Sequence, residues 1–251
     1  MPLGDNDMLS NGTIAKGSRF TATRWSIILA AANTRSDTRS RRALNELARS
    51  YWPPLYSYIR HQGHSPADAE DLTQEFLARL LEKKDLASVD PAKGKFRSFL
   101  LASLKHFLAN EWDKERAKKR GGGRRLLSID TRDAEDRYRA EPVDNMTPEL
   151  LFTRHWALTL LDQALGRVRQ EYRARSKETL FDGLKKALTG DLDAPSYAQL
   201  AAQLKMEPDT VKVAAHRLRQ RYRDVLRDEI LQTVADRESL EEEIRDLFNC
   251  L

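Results

Sequence analysis

Cationic and aromatic side chains share one long helical segment near the middle of the chain, residues 96–120. Basic side chains neutralise the phosphates of nucleic acids, and exposed aromatic rings stack on unpaired bases. This combination favours a surface for single-stranded or locally melted DNA. Phe96, Phe99 and Phe107 recur at helical spacing, which favours a buried face for these three rings. The residues that we expect to contact nucleic acid are His106, Asn110, Trp112, Lys114, Arg116, Lys118, Lys119 and Arg120.

A second cationic segment lies nearer the C-terminus, at residues 196–226. Ser196 and Gln199 have the spacing of a capping box, and Pro208 is suited to the first turn of a following helix. Two helices joined by a tight turn, the second basic on one face, have the geometry that enters a DNA major groove. A solvated basic helix is the alternative interpretation. The expected contact residues are Thr210, Lys212, His216, Arg217, Arg219 and Arg221.

Acidic residues occupy one side of an earlier predicted helix, SPADAEDLTQEFLARLLEK. Asp68, Asp71 and Glu75 fall at i, i+3 and i+7, so they share one helix face. Carboxylates in such a group are suited to a divalent cation or to acid–base catalysis, but nothing nearby in the sequence supplies a second set of ligands. The pattern favours a solvated face or a docking surface for a basic partner helix. We expect no metal, no cofactor and no catalytic residue.

The composition indicates a highly charged chain that can still build a core. Its 251 residues are 40% hydrophobic and 32% charged, with a net charge of +5 and a pI near 9.3. Cys250 is the single cysteine, which excludes an intramolecular disulfide and a cysteine-rich zinc site. No apolar run approaches the ~20 residues of a membrane-spanning helix, and the N-terminus lacks a signal-peptide pattern. We therefore expect a cytoplasmic protein without membrane contact.

Helical periodicity with few strand patterns predicts an all-α fold of two small helical domains. Pro53-Pro54 predicts a helix break inside the first domain, and Thr147-Pro148 predicts the start of the second. The predicted division is a disordered tail at 1–19, a domain at 20–119, a flexible linker at 120–147, a domain at 148–235 and an acidic C-terminal helix at 236–251.

Taken in this order, the motifs resemble bacterial RNA polymerase sigma factors of the extracytoplasmic-function (ECF) type, which keep only domains 2 and 4. ALNELARSYWPPLYSYIR is similar to region 2.1, and DAEDLTQEFLARLLEK is similar to region 2.2. The segment at 96–120 resembles regions 2.3 and 2.4, and the helix-turn-helix at 196–226 resembles region 4.2. The resemblance covers about 25–120 and 148–230.

This resemblance implies a non-enzymatic role in transcription initiation, with core RNA polymerase and promoter DNA as partners. The 96–120 helix would open and read the −10 element, while region 4.2 would sit on the β flap and read the −35 element. An anti-sigma factor is a further candidate partner. The residues that would dock on the clamp helices of the polymerase β′ subunit are Asp68, Asp71, Gln74 and Glu75.

Several features depart from the family pattern. Phe99, His106 and Asn110 align where the usual region 2.3 motif has Trp, Asn and Asp, and Lys205 replaces the usual glycine of the region 4.2 turn. The segment after Val234 is additional, and its acidic run suggests that it folds back on the basic helix.

Two functions from other classes remain open at this point. One is a free-standing helix-turn-helix regulator that binds duplex DNA by itself, without needing the region 2.2 string. The other is a metal-dependent nuclease that uses Asp68, Asp71 and Glu75.

Overall fold

The computed structural model describes residues 38–82, 94–117, 132–140, 146–188, 195–234 and 236–251. None of these residues forms a β-strand, which confirms the all-α prediction. A short 3-10 turn, Lys185–Ala187, follows the sixth helix. The α-helices in the described ranges are α1 (Thr38–His61), α2 (Pro66–Glu82), α3 (Phe96–Ala117), α4 (Arg132–Ala140), α5 (Pro148–Ala174), α6 (Glu178–Leu184), α7 (Tyr197–Leu204), α8 (Pro208–Leu231) and α9 (Glu238–Phe248).

Helix α5 is the centre of the fold because it packs against helices from both halves of the chain. Toward its N-terminal end, Trp156 stacks on Tyr51 of α1 at 4.5 Å and lies 5.9 Å from the ring of Phe96 in α3. It also contacts α8, where Tyr222 donates a hydrogen bond to the carbonyl of Leu161, at the midpoint of α5, at 3.2 Å. The buried residues of both halves therefore form one continuous core.

Helix α1 runs through Pro53 and Pro54, where the sequence predicts a break. A proline in a helix interior removes a hydrogen bond and clashes with the preceding turn, at a cost of about 3 kcal/mol. The flanking residues Trp52, Leu55 and Ile59 are almost completely buried, and burying one such side chain contributes about 1.5–3 kcal/mol. The predicted break is wrong because tertiary packing outweighs the local cost.

The segment predicted as a linker contains helix α4, which docks on α1. Ala134 is buried, and the Glu135 carboxylate accepts hydrogen bonds from Tyr56 at 2.6 Å and from the Arg60 Nε at 2.9 Å. The structure therefore differs from a flexible linker at α4, because these long-range contacts order a short polar helix. The predicted tail at 1–19 lies outside the described residues.

Helices α7 and α8 follow each other across a three-residue turn, as the spacing predicts. The capping box is confirmed: the Gln199 N–H donates to Ser196 Oγ at 3.2 Å, and the Ser196 N–H donates to Gln199 Oε1 at 2.8 Å. Lys205 ends α7 in the left-handed conformation, with φ of 53°, a position that usually favours glycine. Val211 and Leu218 anchor one face of α8 in the core, so the opposite face is exposed.

Helix α9 packs against α5 and α8. Glu241 pairs with Arg227 of α8 at 2.5 Å, but Glu243 pairs with Arg97, at the start of α3. The expectation that this segment folds back on the basic helix agrees with its packing on α8 and with the Glu241–Arg227 pair, whereas Glu243 and Asp246 contact Arg97 instead.

Candidate nucleic-acid interface

A pocket of about 250 Å³ opens between the C-terminal end of α1 and the middle of α3. It is smaller than the roughly 300–1,000 Å³ of sites for drug-sized ligands, so it suits a group of about one ring system. Gly63 makes the turn after α1 with φ of 92°, a conformation that favours glycine. Its neighbours Gln62 and His64 both line the pocket. The residues that line the pocket are Tyr58, Gln62, His64, Lys105, Leu108, Ala109 and Trp112.

Trp112 is the large apolar side chain at this pocket, and 62% of it is exposed. Phe96 and Phe107 are buried in the core, as the helical spacing predicts, while Phe99 is half-buried against it. Among the aromatic rings of α3, Trp112 is therefore the one that the structure offers to a flat ligand.

The cation of the pocket, Lys105, is held by a carboxylate from α5. Its ammonium lies 2.6 Å from Glu149, and this hydrogen bond raises the pKa of Lys105 and lowers the pKa of Glu149. Both side chains are close to half exposed, so the ion pair contributes about 0–1 kcal/mol. A phosphate could therefore replace the carboxylate at little cost.

The other predicted contact residues of α3 divide into two groups. His106 and Asn110 are exposed but do not line the pocket. Lys114 and Arg116 lie on α3, but their side chains are outside the described part of the chain, as are Lys118, Lys119 and Arg120 altogether.

The sequence did not mark the α1 side of this pocket. Tyr58 has the spacing of a core residue, and His64 has the appearance of an isolated loop histidine. Burial raises the pKa of the Tyr58 phenol, although its ring lines the pocket. Only the tertiary contact between α1 and α3 reveals these residues as a wall.

The acidic face of α2 is largely exposed, with one exception. Asp68 and Asp71 are exposed, and Asp68 also accepts a hydrogen bond from Ser65 at 2.6 Å. Glu75 is exposed and pairs with Arg79 at 2.5 Å. Gln74, by contrast, is only 5% exposed, so its side chain lies beneath the face that the sequence assigned to it.

On α8, most of the predicted contact residues are exposed. Lys212 pairs loosely with Asp209 at 3.1 Å, and Arg219 donates a hydrogen bond to the Tyr197 hydroxyl at 2.8 Å. Val213, which the sequence did not mark, is 49% exposed on the same helix. The predicted contact residues that lie exposed on this helix are Thr210, Lys212, His216, Arg217 and Arg219.

Arg221 is the predicted contact residue that the structure ties down. Its guanidinium donates two hydrogen bonds to the Glu171 carboxylate of α5, at 2.8 and 2.6 Å. These hydrogen bonds raise the pKa of Arg221 and lower the pKa of Glu171. A bidentate pair of this kind fixes orientation as well as adding energy, so Arg221 holds α8 against α5.

Within the described ranges, no three His, Cys, Asp or Glu side chains are arranged to hold a metal ion. The helices of those ranges also include none that is long and apolar enough to cross a membrane.

Fold and surface together define an all-α protein with a ring-sized pocket on α3 and an exposed basic helix after a tight turn. Against known proteins, the family model for Sigma-70 region 2 matches residues 47–118. The matched range is less than half of the chain; it contains α2 and α3 and most of α1, and it supports a sigma factor. No curated protein and no solved structure matches the chain significantly.

Proposed function

We propose that the chain is a sigma factor of the ECF type that binds core RNA polymerase, reads a −35 element and opens a −10 element. A Sigma-70 region 2 indicates a sigma factor role in transcription initiation. The finer proposal rests on one observation: the exposed pocket lies in the part of the chain that the family model matches. Both helices that line the exposed pocket, α1 and α3, lie largely or wholly within the matched residues 47–118.

The pocket supports a role at the −10 element because melted DNA offers unpaired bases and nearby phosphates. One base can stack on the exposed ring of Trp112, a contact worth about 1–3 kcal/mol. Lys105 can exchange Glu149 for a phosphate, since their ion pair is partly exposed. His106 and Asn110 are further exposed hydrogen-bonding groups on α3.

Helices α7 and α8 support a role at the −35 element, as a helix-turn-helix with α8 in the major groove. Lys212, His216 and Arg217 are exposed donors for phosphates or base edges. Val213 adds an apolar group suited to the methyl group of thymine. Arg221 acts indirectly in this proposal, because its pair with Glu171 sets the angle of α8 on α5.

The exposed carboxylates of α2 are the proposed docking surface for core polymerase. Asp68, Asp71 and Glu75 share one accessible face, which suits a basic partner helix. Gln74 supports that face from beneath, because it is buried. We also propose that 20–119 and 148–235 are the region 2 and region 4 parts of the chain, which share one core through α5. A cytoplasmic location and an anti-sigma factor as a candidate partner belong to the same proposal.

The proposal is tested by copurification with core RNA polymerase. Asp71→Lys should reduce the recovery of core enzyme at least tenfold, because it places a cation opposite a basic helix. Asp136→Lys, the same change at an exposed position of α4, is the matched control and should leave recovery unchanged. Failure of the folded wild-type protein to bind core polymerase would refute the proposal.

A free-standing DNA-binding regulator is a second candidate, favoured by the exposed basic face of α8 alone. Such a protein would bind a specific duplex tightly without polymerase. If the chain retains sequence-specific duplex binding in the absence of core enzyme, and does not copurify with it, this second candidate replaces the first.

A further inference from the structure

The C-terminal helix α9 is an integral part of the fold, although the sequence offered no role for it. Leu240, Glu243 and Leu247 are buried on one face of the helix. At the end of the chain, the Arg154 guanidinium donates to the carbonyls of Cys250 at 3.1 Å and Leu251 at 2.6 Å. The helix is therefore docked along its whole length.

Two carboxylates of α9 meet two cations at the start of α3. Arg97 donates from Nε and Nη2 to Glu243, at 2.6 and 3.1 Å, and from Nη2 to Asp246 at 3.0 Å. Lys95 lies 2.5 Å from Asp246 and 3.2 Å from Glu243. Residues separated by about 150 positions in the chain thus form one compact cluster.

Most of the cluster is shielded from solvent, although Asp246 is 41% exposed. The side chain of Glu243 is 1% exposed, and those of Lys95 and Arg97 are 18% and 15% exposed. Burial disfavours the charged form of Lys95, but its hydrogen bonds to Asp246 and Glu243 outweigh that effect and raise its pKa. The hydrogen bond from Lys95 lowers the pKa of Asp246. Lys95 and Asp246 are therefore charged at neutral pH.

The position of the cluster indicates a role beyond folding. Lys95 and Arg97 flank the first residue of α3, whose backbone N–H donates to the Thr233 carbonyl at 2.9 Å. The same helix carries Trp112 and Lys105 at the pocket. Carboxylates and phosphates present similar acceptors to an arginine fork, so the two carboxylates of α9 occupy the donors that a phosphate would use.

We propose that Lys95 and Arg97 form a site for a nucleic-acid phosphate, and that Glu243 and Asp246 of α9 occupy this site as an intramolecular competitor. The inference rests on the proposed function, because it takes α3 to be a DNA-facing helix. Undocking of α9 frees two cations on that helix, so strand binding and α9 docking exclude each other at this site.

The test is binding of a single-stranded oligonucleotide to the full chain at several salt concentrations. The variant Glu243→Gln/Asp246→Asn frees Arg97 and leaves Lys95 only its longer contact to the exposed Glu242, at 3.6 Å, so its affinity should rise severalfold at low salt. The slope of log K against log salt should become steeper by about 1.4, since each additional phosphate contact on a single strand adds about 0.7.

The matched control is Glu238→Gln/Glu241→Gln. It removes two charges from the same helix, but Glu241 contacts Arg227 and neither residue contacts Lys95 or Arg97. Its salt slope should equal that of the wild type. Adding Lys95→Gln/Arg97→Gln to the Glu243→Gln/Asp246→Asn variant should abolish the gain in affinity.

The inference would be overturned if the salt slope of Glu243→Gln/Asp246→Asn equalled that of the wild type, or if the control variant changed the slope by the same amount. Either result would leave the proposed function intact. If no folded variant binds single strands, the inference fails together with the −10 role. Should the double variant not fold, Asp246→Asn alone keeps the Arg97–Glu243 pair and removes the nearest carboxylate of Lys95, which stays 3.2 Å from Glu243. It should then steepen the slope by no more than about 0.7, and an unchanged slope would refute the competition.

Discussion

The two proposed DNA surfaces are built on opposite shapes. On α3, an exposed tryptophan and a half-exposed lysine border a concave pocket whose far wall comes from α1. On α8, the polar side chains stand on the convex face of a regular helix. A concave aromatic site suits a base that has left the stack, whereas a convex helix suits a groove that stays paired. The difference indicates one surface for melted DNA and one for duplex DNA.

Both surfaces depend on carboxylates from neighbouring helices. Behind the pocket, Glu135 of α4 binds Arg60 and Tyr56 of α1. Behind the duplex surface, Glu171 of α5 binds Arg221 of α8. In each case a paired arginine holds the scaffold, while other cations remain exposed for phosphates.

The largest expected effect comes from Trp112→Ala. Loss of a stacking platform should weaken binding of a single-stranded −10 oligonucleotide by about 5- to 150-fold, the equivalent of about 1–3 kcal/mol. Duplex binding should stay within twofold of wild type, because α8 is untouched. Fluorescence anisotropy with both probes checks this.

The control for this change is Trp112→Phe, which keeps an aromatic face and should retain most of the affinity. Equal losses for single strand and duplex in the alanine variant would break the division between the two surfaces.

A smaller effect is expected from Arg217→Ala on α8. Removal of an exposed donor should weaken duplex binding by about tenfold, toward the lower end of the range for base contacts. Binding of single strands should not change. An equal loss on both probes, measured by titration at fixed salt, would argue against a separate duplex reader.

Arg221→Ala sharpens the same comparison. It leaves Glu171 without its bidentate partner, but Arg221 is 40% exposed, so the free energy of unfolding should fall by about 1 kcal/mol. The folded variant should still discriminate its specific duplex from duplexes of other sequence. Urea denaturation and a competition assay measure the two quantities, and lost discrimination at full stability would make Arg221 a direct contact residue.

The smallest effect on DNA binding, and a clear one on stability, is expected from Glu135→Gln. The hydrogen bond from Arg60 is the main cause that lowers the pKa of Glu135 to about 2, from 4.5. A depressed folded-state pKa contributes stability that is present above pH 4.5 and is lost as the pH falls toward 2. The variant should therefore lose less stability than wild type between these pH values, as measured by urea midpoints. If the urea midpoints of wild type and variant fall equally with pH, this role of Glu135 is contradicted.

Local sequence patterns predicted the helices well where the determining contacts are local. The capping box at Ser196 and the first-turn Pro208 involve neighbours in sequence, and both are confirmed. Pro53 and Gln74 show where such reasoning fails. The continuity of α1 at Pro53 and the burial of Gln74 both follow from the packing of whole helices, which propensity and periodicity do not contain.

The candidate site was predictable in part for the same reason. Trp112 and the basic face of α8 could be assigned from residue type and spacing. Tyr58 and His64 could not, since they join the pocket only when α1 meets α3. The partners of Glu243 could not be assigned either, because Arg97 is 146 positions away.

The central claim is tested most directly by run-off transcription with purified core RNA polymerase on a library of genomic DNA. The account predicts discrete transcripts that require this protein and are strongly reduced by Trp112→Ala at unchanged core binding. Absence of promoter-specific transcripts with the folded wild-type protein would contradict it.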